Sequence, residues 1–319
     1  MIADYSVYQK FLKIASFNDD LSRITAMNYL KAVFKQVCKE KKKKEKHDFS
    51  SKNTVMKNIN SIATLRHDLL STAGNSGTQG MAYVGNICEK SGSASIIEDV
   101  GGMATSVIAA HEIIHSLGAF HDGIETGNQC ETAANYLMAP LVAGSDNETK
   151  LTNSFRLSSC SKEQVRNFLR KKKFNCLRKG GFQSRKLKLD QEPGQDWNLP
   201  GEIFQRDQQC QIAFGEHYQF CNHDDYYEEK SRCGRLWCKN MHLNEEDDCE
   251  TKNYLPLLDG TYCGDFQVCS CLKSTFLFSF YSNIKFVTER FYFQLVIKSF
   301  RTICCFTCYK ILRSIQHRH

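Results

Sequence analysis

The stretch Val107 to Asp122, VIAAHEIIHSLGAFHD, limits the folds open to this chain more than any other. His111 and His115 stand four residues apart, so on a helix they project from one face, one turn above the other, and can share a tetrahedral ion. Glu112 projects from nearly the same side. On the opposite side Val107, Ala110, Ile114 and Leu117 recur at helical spacing, an apolar stripe to bury against a sheet while the histidines face a cleft. Gly118 is the residue type that takes the positive φ ending a helix, and the turn it permits brings His121 to the same ion. Three nitrogens leave a fourth position open, the coordination of a catalytic rather than a structural zinc.

His111, Glu112, His115, Gly118 and His121 together spell HExxHxxGxxH. Met138, in Asn135 to Pro140 (NYLMAP), lies downstream where this class places a tight turn under the metal. The stretch therefore resembles a metzincin metallopeptidase of the reprolysin (adamalysin) branch, in which an aspartate follows the third histidine; Asp122 stands there. The segments GMAYVGNIC (Gly80 to Cys88) and SIIEDVGG (Ser95 to Gly102) resemble the secreted metalloproteases of arthropod venoms and saliva, which are related to the ADAMTS proteases. Ile114 departs from the common form, since many members carry glycine there; because it lies in the apolar stripe, it is expected to affect packing and not metal binding.

The resemblance implies an α/β (α+β) catalytic domain whose mixed sheet carries the zinc helix, with Zn²⁺ held by His111, His115 and His121. Glu112 is then the general base, and the reaction is hydrolysis of peptide bonds by water activated at the ion. Met138 is implied as a hydrophobic floor and Gly118 as a hinge. A structural Ca²⁺ is compatible with the class but has no readable motif. The resemblance also implies a pairing of Cys88 with Cys176 and of Cys130 with Cys160. In this class the edge strand above the zinc pairs with the extended substrate backbone.

Sixteen cysteines, eight of them between Cys210 and Cys271, argue for a disulfide framework and an oxidising, extracellular setting. The sequon at Asn147 is compatible with that. The N-terminal residues lack the basic start, apolar core and small-residue cleavage site of a signal peptide, so Met1 is expected to be internal to a longer precursor, with signal and propeptide upstream. The net charge of +7 comes largely from Lys39 to Lys46 and the last fifty residues. A solvated loop accounts for the lysine run, and no nucleic-acid partner is expected.

Along the chain, residues 1 to 10 read as a strand. Asp20 to Val37 read as an amphipathic helix with Leu21, Ile24, Met27, Leu30 and Val33 or Phe34 on its apolar face. Residues 81 to 87 read as an edge strand, Ala94 to Asp99 as a strand leading to the zinc helix, and Ser161 to Leu169 as a closing helix. The catalytic domain is assigned to 1–178, shortened around 38–80 relative to the family, and a polar, Gly- and Pro-containing linker to 179–198. Residues 199–271 resemble the small disintegrin-like, cysteine-rich module that follows the catalytic domain in ADAMTS proteases. Beyond it, 272–319 is an unmatched basic, aromatic tail whose charges interrupt every apolar run short of a membrane span. The reading is thus a secreted, monomeric zinc endopeptidase acting on extracellular proteins or peptides. The alternative is a non-catalytic extracellular binding protein that works through its cysteine-rich module.

Overall fold

The computed structural model describes residues 2–37, 61–171, 199–270 and 307–310, apart from 71–73, 75, 90–91, 124–128, 142–144, 146, 222–232, 243–248, 253–255 and 265–266. The lysine run, the assigned linker, Cys38 and Cys176 lie outside these residues.

The chain begins with a short strand, β1 (Ile2–Ala3), and not with the strand over 1–10 that its aromatic and β-branched residues suggest. The Asp4 carboxylate accepts the amides of Ser6 and Val7 and caps helix α1 (Tyr5–Ile14). Val7 and Phe11, four residues apart, then share a buried face. Helix α2 (Asp19–Val37) occupies the expected span but buries a different face. Ser22, Ala26, Tyr29 and Val33 point inward, whereas Leu21, Ile24 and Met27 are exposed. Tyr29 overrides the aliphatic stripe because its ring packs on Phe11 while its hydroxyl reaches a buried carboxylate, so one side chain serves both the core and a polar network.

The remaining strands of the sheet are β2 (Ser61–Leu65), β3 (Gly80–Ala82) and β4 (Ala94–Glu98), in the order β1-β2-β4-β3. β1, β2 and β4 run parallel; β3 is an antiparallel edge, with Met81 opposite Ile96. Helix α3 (Gly102–Ser116) follows β4 and packs on β4 and β3. Val107, Ala110, Ile114 and Leu117 are all buried in the main core. The edge strand is shorter than residues 81 to 87. After Ala82 the chain turns, and the amides of Gly85 and Ile87 donate to the carbonyls of His115 and Ser116 at 2.9 and 3.2 Å. Satisfying the exposed carbonyls at the end of α3 takes these residues out of the sheet. Helices α4 (Glu148–Asn153) and α5 (Ser159–Arg170) complete this part, and Cys130 is bonded to Cys160. Cys88 is also disulfide-bonded.

Residues 199–270 form a second, smaller unit. It contains α6 (Pro200–Ile203), α7 (Arg206–Phe214), the hairpin β5 (Tyr218–Phe220) with β6 (Cys238–Asn240), and the pair β7 (Tyr262–Gly264) with β8 (Gln267–Ser270). Of the tail, β9 (Thr307–Lys310) is described, antiparallel to β8. Disulfides join Cys210 to Cys238, Cys221 to Cys249 and Cys233 to Cys269. Buried sulfur takes much of the place of aliphatic side chains here, as expected where too few residues are available for a large core. The two units share packing: Phe204, Ile212 and Leu258 belong to the main core, and Ala104 of α3 to the cysteine-lined one. Among the described residues no helix is long and apolar enough to cross a membrane.

Candidate metal centre

Helix α3 ends in a double backbone bond: the Gly118 amide donates to His115 O at 2.8 Å and the Ala119 amide to Ile114 O at 3.2 Å. This is a Schellman turn, with Gly118 at φ +90° as the left-handed residue. The reversal returns His121 toward the helix. Its Nε2 lies 3.1 Å from His111 Nε2 and 3.0 Å from His115 Nε2.

Backbone carbonyls decide which ring nitrogens carry protons. His111 Nδ1 is 2.6 Å from Leu137 O and His115 Nδ1 is 2.8 Å from Ala119 O. A carbonyl only accepts, so both Nδ1 atoms are N–H donors and both Nε2 atoms present lone pairs to the same point. His121 can donate a proton to only one of them at a time. A cation satisfies all three: tetrahedral zinc at ordinary Zn–N distances sets nitrogens about 3.3 Å apart, close to the spacings found. Burial and the neighbouring imidazoles hold His111 down at about 3, and burial holds His115 at about 4, so both rings stay neutral and able to ligate. The donor set therefore fits zinc. The other convergent group, Cys233, Cys263 and Cys269, consists of disulfide-bonded cysteines and offers no thiolate.

Glu112 is buried, and burial alone pushes its carboxyl up to about 8. Its Oε2 is buried without a hydrogen-bond partner. Beside it runs Gly80 of the edge strand, where a Cβ would stand 2.5 Å from Glu112 Oε1. Nothing in the periodicity around Gly80 signals this contact, which arises only when the edge strand is laid against α3.

Met138 is fully buried in a tight turn. The backbone on either side of its amide plane anchors the centre: Leu137 O holds His111, and Met138 O accepts the Asp122 amide at 2.7 Å. Asp122 is buried, and its Oδ1 accepts the hydroxyls of Ser158 at 2.7 Å and Ser161 at 3.0 Å. Ser158 is also the N-cap of α5, so the loop bearing the third histidine is tied to a helix start, where the dipole favours a carboxylate. Ser158 and Ser161 were not readable as site residues, because an ordinary capping serine has the same local sequence.

The three histidines, Glu112, β3, Pro140 and Leu141 line one cleft of about 1580 Å³. Its far end is bounded by Arg66, Asp68, Asp99 and Lys252, the last contributed by the second unit. Asp99 is a buried hub at the start of α3. It pairs with Lys10, accepts Tyr29 Oη at 2.5 Å and Thr105 Oγ1 at 3.0 Å, and receives Arg66 Nη1 on its backbone carbonyl at 2.7 Å. Arg66 Nη2 and Lys252 Nζ both reach Ala213 O, the carbonyl near the end of α7, at 3.4 and 2.5 Å.

Residues 34–180 match the reprolysin (M12B) family zinc metalloprotease, and residues 200–273 match the ADAMTS cysteine-rich domain 2. A disintegrin and metalloproteinase with thrombospondin motifs 1 from Bombyx mori is 36% identical over 193 residues, covering 60% of this chain and 17% of the relative. The human protein with thrombospondin motifs 6 is 31% identical over 221 residues, covering 66% and 17%, and the human protein with thrombospondin motifs 16 is 33% identical over 200, covering 61% and 14%. The chain thus spans about a sixth of the length of these relatives. With a stretch that matches the reprolysin zinc metalloproteases and carries the histidine helix, and a stretch that matches the ADAMTS cysteine-rich domain packed behind it, the chain is similar to the ADAMTS-like reprolysin metalloproteases.

Proposed function

We propose that the chain is an extracellular zinc endopeptidase whose catalytic residues are His111, His115, His121 and Glu112. One observation carries the reading: three imidazole Nε2 atoms converge beside an unpartnered buried carboxylate oxygen in a single open cleft. Bound there, zinc supplies polarisation of a carbonyl and acidification of a water. Glu112 accepts the proton of the attacking water and returns it to the leaving amine. Leu137 and Ala119 hold two of the imidazoles in the ligating tautomer throughout. Asp122 and Met138 position the third histidine and the turn below it. The free edge of β3 takes the extended substrate backbone by main-chain hydrogen bonds, which places the scissile bond next to Glu112 without demanding a particular side chain.

Cleavage of a broad fluorogenic peptide library by the whole chain, with and without a zinc chelator, tests this. Chelator-sensitive cleavage that is absent from Glu112→Ala, with zinc still bound in that variant, is the expected result. A folded, zinc-loaded protein that cleaves nothing turns the reading to an extracellular binding protein.

A further inference from the structure

The hairpin of the second unit carries two imidazoles that the catalytic site does not use. His217 precedes β5 and His242 follows β6; the Met241 amide donates to His217 O at 2.9 Å, so both side chains leave the same end of the hairpin. His242 Nε2 lies 2.8 Å from His217 Nδ1, with the rings at 85° and their centroids 4.1 Å apart. The spacing and tilt are close to those among the three histidines of the metal centre, whose nitrogens are 3.0 to 3.1 Å apart.

Two further observations point to a cation between them. The other nitrogen of His217, Nε2, faces the Glu216 carboxylate at 3.8 Å. At that distance it adds a negative charge beside the pair, which favours a cation there. The backbone under the pair is also fixed. Tyr218 and Asn240 are in register, Cys210 and Cys221 tie the hairpin to α7 and to Cys249, and Asn240 Oδ1 accepts the His242 amide at 3.0 Å. Holding two imidazoles at this separation before binding removes most of the ordering loss that a two-ligand surface site otherwise suffers.

We propose that His217 Nδ1 and His242 Nε2 form a second, solvent-facing site for a borderline transition cation such as Zn²⁺, with water completing the coordination. Imidazole ligands suit zinc, copper and nickel rather than calcium or magnesium. The proposal does not depend on the catalytic reading.

Equilibrium dialysis of the full chain against Zn²⁺, with metal measured by atomic absorption, tests it. The wild type is expected to bind one equivalent more than the double variant His217→Ala/His242→Ala. His217→Ala and His242→Ala should each abolish it, and Glu216→Gln, which removes the nearby negative charge, should weaken it by about two- to fivefold. The first equivalent and the unfolding midpoint should be unchanged in all three variants. Electron paramagnetic resonance of Cu²⁺ at this site should show coupling to two nitrogens, falling to one in either histidine variant. The idea is overturned if the double variant His217→Ala/His242→Ala binds as many equivalents as the wild type at equal affinity.

Discussion

A single methyl group at Gly80 tests how closely the edge strand and the Glu112 carboxyl are fitted. In Gly80→Ala that carbon meets Glu112 Oε1 at 2.5 Å and its Cδ and Cγ at 2.8 Å, so the carboxylate must shift. On the role proposed for Glu112, a displacement of this size lowers kcat by about 100-fold, and the measurement is kcat alongside an unchanged zinc content. Gly118→Ala acts on the fold instead: it forces a left-handed φ on alanine and drives Cβ to 2.4 Å from the Phe168 ring. A loss of at least about 1–2 kcal/mol in denaturant unfolding is expected. Lys10 gives a pH signature. Burial lowers its ammonium to about 8 from the ordinary 10.5, with Asp99 pulling the other way. Between those values the unfolded chain holds a proton that the fold has released, so the stability attributable to Lys10 rises with pH. Unfolding free energies from about pH 8 to about pH 10 should climb more steeply in the wild type than in Lys10→Met, and equal slopes would contradict the assignment. At this scale the convergence of the three histidines was legible because all of them lie within a few turns of one another in the chain. Gly80, Ser158 and the Asp99 hub were not, because each acquires its role from a partner distant in the chain.

Among the elements, the legible ones were those with a strong period and a clear stop. The apolar stripe of α3 and its Gly118 end, the strand before it and the closing helix α5 all follow from spacing alone. Three features did not. β-Forming residue types at the N-terminus are overridden by the Asp4 cap and by the shared burial of Val7 and Phe11. The face of α2 is decided by Tyr29, whose hydroxyl partner Asp99 is invisible from within the helix. The edge strand is cut short because the last carbonyls of α3 compete for its amides. The junction of α5 with the His121 loop yields a further prediction. Ser158→Ala removes both the cap that accepts the Ser161 amide and the hydroxyl bonded to Asp122. A loss of about 1–2 kcal/mol is expected by denaturant titration, with Ser158→Thr recovering most of it.

At the scale of the molecule, the second unit is structural support for the first. Phe204 stands edge-on to Tyr29 with ring centroids 6.2 Å apart. Gly101, at the start of α3, lies so close to Ala213 that a Cβ would meet its Cα at 2.6 Å. A chain ending at residue 198 should therefore unfold at least about 5 °C lower than the full chain in a thermal scan, and coincident transitions would show the support to be negligible. The arginine that bridges the two units sets a clock as well. Arg66 finds its carbonyl partner at Ala213, 147 positions later. On a ribosome that partner emerges about 7–30 s after the arginine. The cleft that takes Lys252 as part of its wall is thus completed only near the end of translation of these two units, after the histidines at its other end have long emerged.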